Sequence, residues 1–372
     1  MSIHHGRVLQ IVPHLPGGFD GVGDHALNLA RALSSDFGIS TTFLVAGKTS
    51  ANSKDGYAII SGLNPETCAQ LARDHEHVIL HYVNYGYQVR GVPFLLRAFV
   101  KQLRSQLRGR WVTTFHELYA SGPPWKSEFW LRPLQIKIAR DLIDLSDACF
   151  VSNEIMEQEI RRHDPRKQVR LVPVMSNFGE PTLTDFAIAS PKRWAICGGT
   201  ALLNRSLLSF ERIHRLVPAA FFPNHLDAIG GRDTESTREI VERLAHQVPG
   251  LACHYHPEVS VEEGSRLLTQ ASFSWLDYFG KGEISPGMVL KSSVFGAYSA
   301  HGVVTIFSHR EESLALGQDR FPGPWFLTPN GERFPDPVRL SEIREKIYSW
   351  YWAHAASPRV ARLYADALAT VP

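Results

Sequence analysis

The run Gly17-Gly18-Phe19-Asp20-Gly21-Val22-Gly23-Asp24-His25 sets four glycines and three ionisable side chains between two patterned segments. Glycine lets a backbone approach a ligand closely, and the free N–H groups of a helix start attract a phosphate or a polar sugar edge. Gly18, Gly21, Val22, Gly23, Asp24 and His25 are therefore binding candidates, read as a glycine loop that opens a helix. A second set, His81-Tyr82-Val83-Asn84-Tyr85-Gly86-Tyr87 with His116-Glu117, joins aromatic rings to hydrogen-bonding tips. Rings cover sugar C–H faces while polar tips read hydroxyls. Two ionisable residues directly after an apolar run, as at His116-Glu117, are costly unless exposed in a cleft or paired. The third set is cationic. Gly198-Gly199-Thr200 with Arg205, and Pro286-Gly287 with Lys291, Ser292 and Ser293, put a guanidinium and an ammonium near helix starts. Several such donors together can hold one dianionic diphosphate.

These residues need elements to position them. Val8-Leu9-Gln10-Ile11-Val12 reads as a buried parallel strand, and Ala26, Leu29, Ala30 and Leu33 recur at helical spacing behind the glycines. Similar short runs follow at 41–45, 78–82, 111–115 and 148–151, with amphipathic stretches between them, the signature of parallel βα units. The segment from Leu171 to Pro181, with Pro173, Gly179 and Pro181, breaks the rhythm and reads as a hinge. It restarts at Trp194–Cys197, His225–Ile229, Ser272–Leu276 and Val303–Phe307. Ligands of such sheets bind beyond the carboxyl ends of the strands, where the candidates above are placed. The helical pattern Leu207, Leu208, Phe210 and Ile213 is expected to begin just after Arg205. Tyr255 and His256, at the end of the run that starts at Leu251, are candidates for a base pocket.

Composition removes several classes. A chain of 372 residues fits two α/β domains, and a net charge of +2 offers no basic field for nucleic acid. Cys68, Cys149, Cys197 and Cys253 are far apart and form no CxxC pair, so neither a disulfide framework nor a zinc site is indicated. The opening residues Met1–Arg7 have no apolar segment and no run reaches membrane-spanning length. The expectation is a cytoplasmic protein, at most peripheral at the inner membrane face.

With these motifs in place, the chain resembles the retaining GT-B glycosyltransferases of family 4. Their acceptor-side loop, GGVG before a helix containing LA.AL, is matched by Gly17–His25 with Leu29-Ala30-Arg31-Ala32-Leu33. His116 matches the histidine that touches the donor sugar near its C6 hydroxyl. Val259-Ser260 with Glu262-Glu263 and Leu267 resembles the helix before the donor-site strand. Ile347-Tyr348-Ser349-Trp350-Tyr351 resembles the terminal helix that crosses back to the first domain. More narrowly, residues 81–87, Phe115-His116-Glu117-Leu118-Tyr119 and Gly122-Pro123-Pro124-Trp125 look like bacterial, notably cyanobacterial, polysaccharide-type transferases.

The resemblance implies two Rossmann-like doubly wound domains facing a cleft, an acceptor-side domain over 1–175, a nucleotide-sugar domain over 176–345, and a returning helix over 346–372. It implies transfer of a hexose from a UDP- or GDP-sugar to a glycan or lipid-linked saccharide, with no metal and no cofactor. The family's Arg-x4-Lys cation pair aligns with Thr200-x4-Arg205, so one cation survives and Lys291 is the candidate replacement. The family's Glu-x7-Glu pair has no register that keeps both carboxylates: one places Glu283 first and Lys291 second, the other Val289 and Ala297. Glu117 would orient His116 or the acceptor, and Tyr85 joins the acceptor side. Three other readings stay open. A nicotinamide-dependent oxidoreductase would need a cleaner GxGxxG and an acid near Val45-Ala46-Gly47. A metal hydrolase would need more than His75-x-His77 and His254-x-His256, which lack helical HExxH spacing. The altered glutamate motif also fits a non-catalytic relative that binds nucleotide sugars.

Overall fold

The computed structural model describes residues 6–15, 21–120, 125, 127–187, 192–278, 286–310 and 313–369. The chain forms two compact units, Met1–Pro173 with Ser357–Pro372, and Val174–Ala356.

The first unit is built on β1 (Arg7–Val12), β2 (Ser40–Val45), β3 (Ser53–Lys54), β4 (Tyr57–Ser61), β5 (His77–Tyr82), β6 (Trp111–Phe115), β7 (Ala148–Val151) and β8 (Gln168–Leu171). They lie in the order β3-β4-β2-β1-β5-β6-β7-β8, and only the β3–β4 pair is antiparallel. The chain first winds outward from β1 and then returns to β1's other side with β5. The topological switch point therefore falls between β1 and β5. Val8, Leu9, Ile11 and Val12 are fully buried, as expected of a parallel strand covered on both faces. The helix Gly21–Phe37 buries Ala26, Leu29, Ala30 and Leu33, the residues whose spacing predicted it. The last helix, Ser357–Ala369, packs on it. Tyr364 anchors that helix: its ring stacks on Phe150 at 3.9 Å and its hydroxyl lies 2.6 Å from Thr114 Oγ1.

The second unit repeats the plan. Its strands are β9 (Arg193–Cys197), β10 (His225–Ile229), β11 (Ala252–His256), β12 (Phe273–Leu276), β13 (Val304–Phe307), the small hairpin β14 (Ala315–Leu316) and β15 (Asp319–Arg320), then β16 (Trp325–Thr328) and β17 (Gly331–Arg333). The main sheet runs β11-β10-β9-β12-β13-β16-β17, which puts its switch point between β9 and β12. Trp194, Phe210, Phe273 and Trp275 are all fully buried at its centre. Each such side chain is worth roughly 1.5–3 kcal/mol relative to exposure, so the short strands are secured by packing rather than by propensity.

One expectation changes here. The aromatic segment Ile347–Tyr351 lies in the helix Leu340–His354, which belongs to the second unit. Its Tyr351 hydroxyl accepts from Ser176 N at 2.8 Å and donates to Glu180 at 2.6 Å. The chain rejoins the first unit only with Ser357–Ala369, because Tyr351 and Ile347 are buried where they stand.

Candidate functional site

In the first unit, three elements deliver histidines to the switch point. His25 comes from the helix after β1, His81 from within β5, and His116 from the residue after β6, whose amide extends the sheet by donating to Tyr82 O at 2.9 Å. The ring centroids lie 5.2 to 5.7 Å apart. His81 is fully buried in an otherwise apolar strand, so its polar atoms need internal partners. Its Nε2 lies 2.8 Å from Gln10 Oε1, and the Gln10 amide in turn donates to Thr41 Oγ1 at 3.4 Å. That order assigns the proton of His81 to Nε2 and turns the lone pair of Nδ1 toward His116 Nε2, 3.3 Å away. Burial pushes the His25 pKa down to about 4; burial, with the neighbouring His116 and His25, holds His81 well below its usual range. Both rings are neutral at pH 7.

The helix begins at Gly21, so Gly21, Val22, Gly23, Asp24 and His25 form its first turns and not a loop; Gly18 lies outside the described residues. The helical pattern of Ala26, Leu29 and Ala30 continues backward because Gly23 and His25 are themselves buried against the unit. Glu117 follows His116, half-buried, and its charge adds to burial in raising the Tyr82 phenol. Tyr85 sits on the short helix Asn84–Tyr87 and its hydroxyl accepts from Gln135 Nε2 at 3.4 Å. The neighbouring Tyr87 hydroxyl clamps the switch point, bonding Ile11 O at 3.1 Å and His81 O at 2.8 Å.

In the second unit, Gly198 and Gly199 end β9 and open the helix Thr200–Ile213. A Cβ on Gly198 would meet Leu203 N at 3.0 Å and the Leu202 side chain at 3.1 Å, so this position needs glycine for close helix packing. Gly199 is the N-cap and offers no side chain to the first amides. Thr200 Oγ1 accepts from Arg232 N at 2.9 Å. Arg205 therefore lies inside the helix, not ahead of it: the helix starts directly at the second glycine's heels. Its guanidinium is exposed yet fixed, with Nε donating to Asp277 O at 2.7 Å and Nη2 to Tyr278 O at 3.4 Å. Those carbonyls lie just past β12, across the switch point from β9. Two serines reinforce the joint, since the buried Ser206 Oγ accepts from Asp277 N and the half-buried Ser308 Oγ donates to Asp277 Oδ1.

Lys291 ends the 3-10 turn Pro286–Lys291, which includes Gly287, and stands before the N-cap of the helix Ser293–Ala300. Ser292 spends its hydroxyl as that cap, accepting from Phe295 N at 3.3 Å. Glu283 lies outside the described residues. Tyr255 and His256 come from the edge strand β11 and make structural contacts. Tyr255 donates to Arg232 O at 2.7 Å, and His256 Nε2 lies 2.9 Å from Asp227 Oδ1. Asp227 is 1 % exposed. Burial alone would raise its carboxyl, but His256, Arg193 and His225 together hold it below the usual range.

The pair His75 and His77, weighed for a hydrolytic metal, is spent on separate main-chain contacts. His75 Nδ1 bonds Leu71 O at 2.9 Å and His77 Nδ1 accepts from Arg110 N at 3.0 Å. Past β2 stand Ala46, Gly47 and Lys48, without the acid that would hold a nicotinamide ribose. Sequence reasoning missed the clamp of Ser206, Asp277 and Ser308, and it missed Gln10. The signal for Gln10 was present, because a glutamine or histidine inside an apolar parallel strand has to find a buried partner.

No family profile and no curated protein matches the chain. Its fold does have solved counterparts over nearly its full length. Anabaena HepE in complex with UDP-glucose aligns with a TM-score of 0.60 at 9% identity, over 99% of this chain and 100% of that one. The pneumococcal O-GlcNAc transferase GtfA in complex with UDP and GlcNAc aligns at 0.60 and 9%, over 98% and 99%. An alpha-glucosyltransferase in complex with UDP-glucose and DNA aligns at 0.57 and 13%, over 98% and 100%. Two parallel-sheet α/β units in this order, with counterparts of this kind, define the GT-B fold. The chain adopts the GT-B fold.

Proposed function

We propose that this protein is a glycosyltransferase that moves a hexose from a UDP- or GDP-sugar to a hydroxyl of a glycan or lipid-linked saccharide, with retention, in the manner of family 4. The observation that carries the proposal is Arg205. It is an exposed guanidinium fixed across a topological switch point, on the helix that Gly199 caps, in a fold whose solved counterparts include complexes with UDP-glucose. The second unit takes the donor. Arg205, Lys291 and the N–H groups after Gly198-Gly199 stabilise the charge that develops on the departing diphosphate, without a metal on it. No protein nucleophile is invoked. The acceptor attacks on the face the diphosphate leaves, and the diphosphate takes the acceptor proton. His116 positions the donor sugar, Glu117 orients His116 or the acceptor, and the residues from Gly21 to His25 with Tyr85 serve the acceptor side.

A calorimetric titration with UDP, GDP, their hexose conjugates and NAD tests this. One nucleotide sugar should bind at one equivalent per chain and be turned over when acceptor glycans are added. Binding of NAD in preference to every nucleotide sugar would refute the proposal, and binding without turnover on any acceptor would leave a sugar-nucleotide-binding protein in place of an enzyme.

A further inference from the structure

His25 is 5 % exposed, and neither of its ring nitrogens has a hydrogen-bonding partner among the described residues. A neutral imidazole always carries one N–H and one lone pair, and burying both without partners is costly. The same ring stands edge-on to His81 and His116, and one nitrogen from each of the three rings lies within 4.8 Å of the others. We infer that His25, His81 and His116 form a site for a late first-row divalent cation, with Zn2+ the best fit, held by three neutral imidazoles.

The chemistry and the geometry agree on this class of ion. Three imidazole nitrogens suit zinc, nickel or copper and give no foothold to calcium or magnesium, which take oxygen ligands. Zinc bonds of roughly 2.0–2.1 Å at tetrahedral angles put ligand nitrogens about 3.3 Å apart. His81 Nδ1 and His116 Nε2 already stand at 3.3 Å. The outer contact is also the one a metal ligand needs. Zinc-bound histidines nearly always give their second N–H to an oxygen, which fixes tautomer and ring plane. Here Gln10 Oε1 receives the Nε2 proton of His81, and Thr41 fixes the Gln10 amide. A simple hydrogen bond between His116 and His81 would satisfy those two rings and leave His25 as it is. A shared cation uses the lone pairs of all three. His116, half-buried, is the ligand nearest solvent and marks where the ion enters.

The site shares His25 and His116 with the proposed acceptor and sugar positions, but metal binding is read without turnover, so its failure is distinguishable from failure of the proposed reaction. The test is titration of the full, metal-stripped chain with Zn2+ in competition with a chromophoric chelator, repeated with Co2+ read by its visible absorption. One equivalent should bind, and Co2+ should give the intense bands of a tetrahedral site. His25→Ala and His81→Ala should abolish the competition, and Gln10→Ala should weaken it by roughly 10–100-fold, the usual effect of losing an outer-shell partner. If a buried substitution unfolds the chain by circular dichroism, His116→Ala at the half-buried ligand serves instead. His225→Ala and His254→Ala, at the histidines near Asp227 in the second unit, should keep the bound equivalent. No competition by the parent chain, or an equivalent that survives the first three variants and vanishes with His225→Ala or His254→Ala, would overturn the site.

Discussion

The guanidinium Nε of Arg205 donates to the main-chain carbonyl of Asp277 at 2.7 Å, tying the helix after β9 to the end of β12. Main-chain carbonyls carry no full charge, so this bond orients the cation without neutralising it. A salt bridge to a carboxylate would have done the opposite. The residue therefore combines a fixed direction with a charge still available to an anion, which is what stabilisation of a leaving diphosphate requires.

Arg205→Ala should lower turnover by roughly 10²–10³-fold, the scale for losing one preorganised charge-stabilising donor. Lys291→Ala should fall in the same range. If both cations act on one diphosphate, the double variant should lose less than the product of the two, because residues sharing a partner are not additive. Steady-state kinetics on the four proteins reads this directly, and strictly multiplicative losses would separate the two residues.

Transfer should persist in excess EDTA. In the proposed reaction fixed cations and helix N–H groups handle the diphosphate charge, and the histidine site inferred in the first unit takes no part in that step. Chelated protein should keep its rate of nucleotide release. Abolition of activity by EDTA and its restoration by manganese would place a metal on the diphosphate.

Stability should fall with pH between about 6.5 and 4 through His301. Burial pushes this imidazole down to about 4, while its Nδ1 donates to Ala297 O at 2.7 Å and Ser265 stands 2.8 Å from its Nε2. The unfolded chain takes up the proton below about 6.5 and the folded chain resists until about 4, so the unfolded state binds more protons in that window. The contribution is complete above 6.5, and about 3 kcal/mol of stability is lost by the time pH reaches 4. Urea unfolding as a function of pH should show the slope, and His301→Gln should reduce it by about this amount, leaving the share of the buried His25 and His81.

Much of the fold was legible. Short runs at 111–115, 148–151 and 225–229 coincide with β6, β7 and β10, because parallel strands buried on both faces concentrate apolar residues even where Thr113, Thr114 or Asp227 interrupts them. The strands β4, β8 and β17 were not legible: their residues are half-exposed or exposed and their pairing is set by neighbours. Arg205 stood out by type, but its position inside the helix depends on Gly199 acting as the cap, which a glycine pair does not announce. The histidine triad was the least visible. His25, His81 and His116 lie on separate elements, and only the placement of β5 beside β1 and β6 brings their rings together.

The central claim, that the second unit holds the nucleotide diphosphate while His116 serves the sugar, is tested most directly by measuring UDP and GDP affinity and transfer rate side by side for two variants. His116→Ala should cut transfer and leave affinity for the free nucleotide diphosphate nearly intact, whereas Arg205→Ala should weaken that affinity as well. Loss of nucleotide binding in His116→Ala, with Arg205→Ala binding as the parent does, would contradict the account.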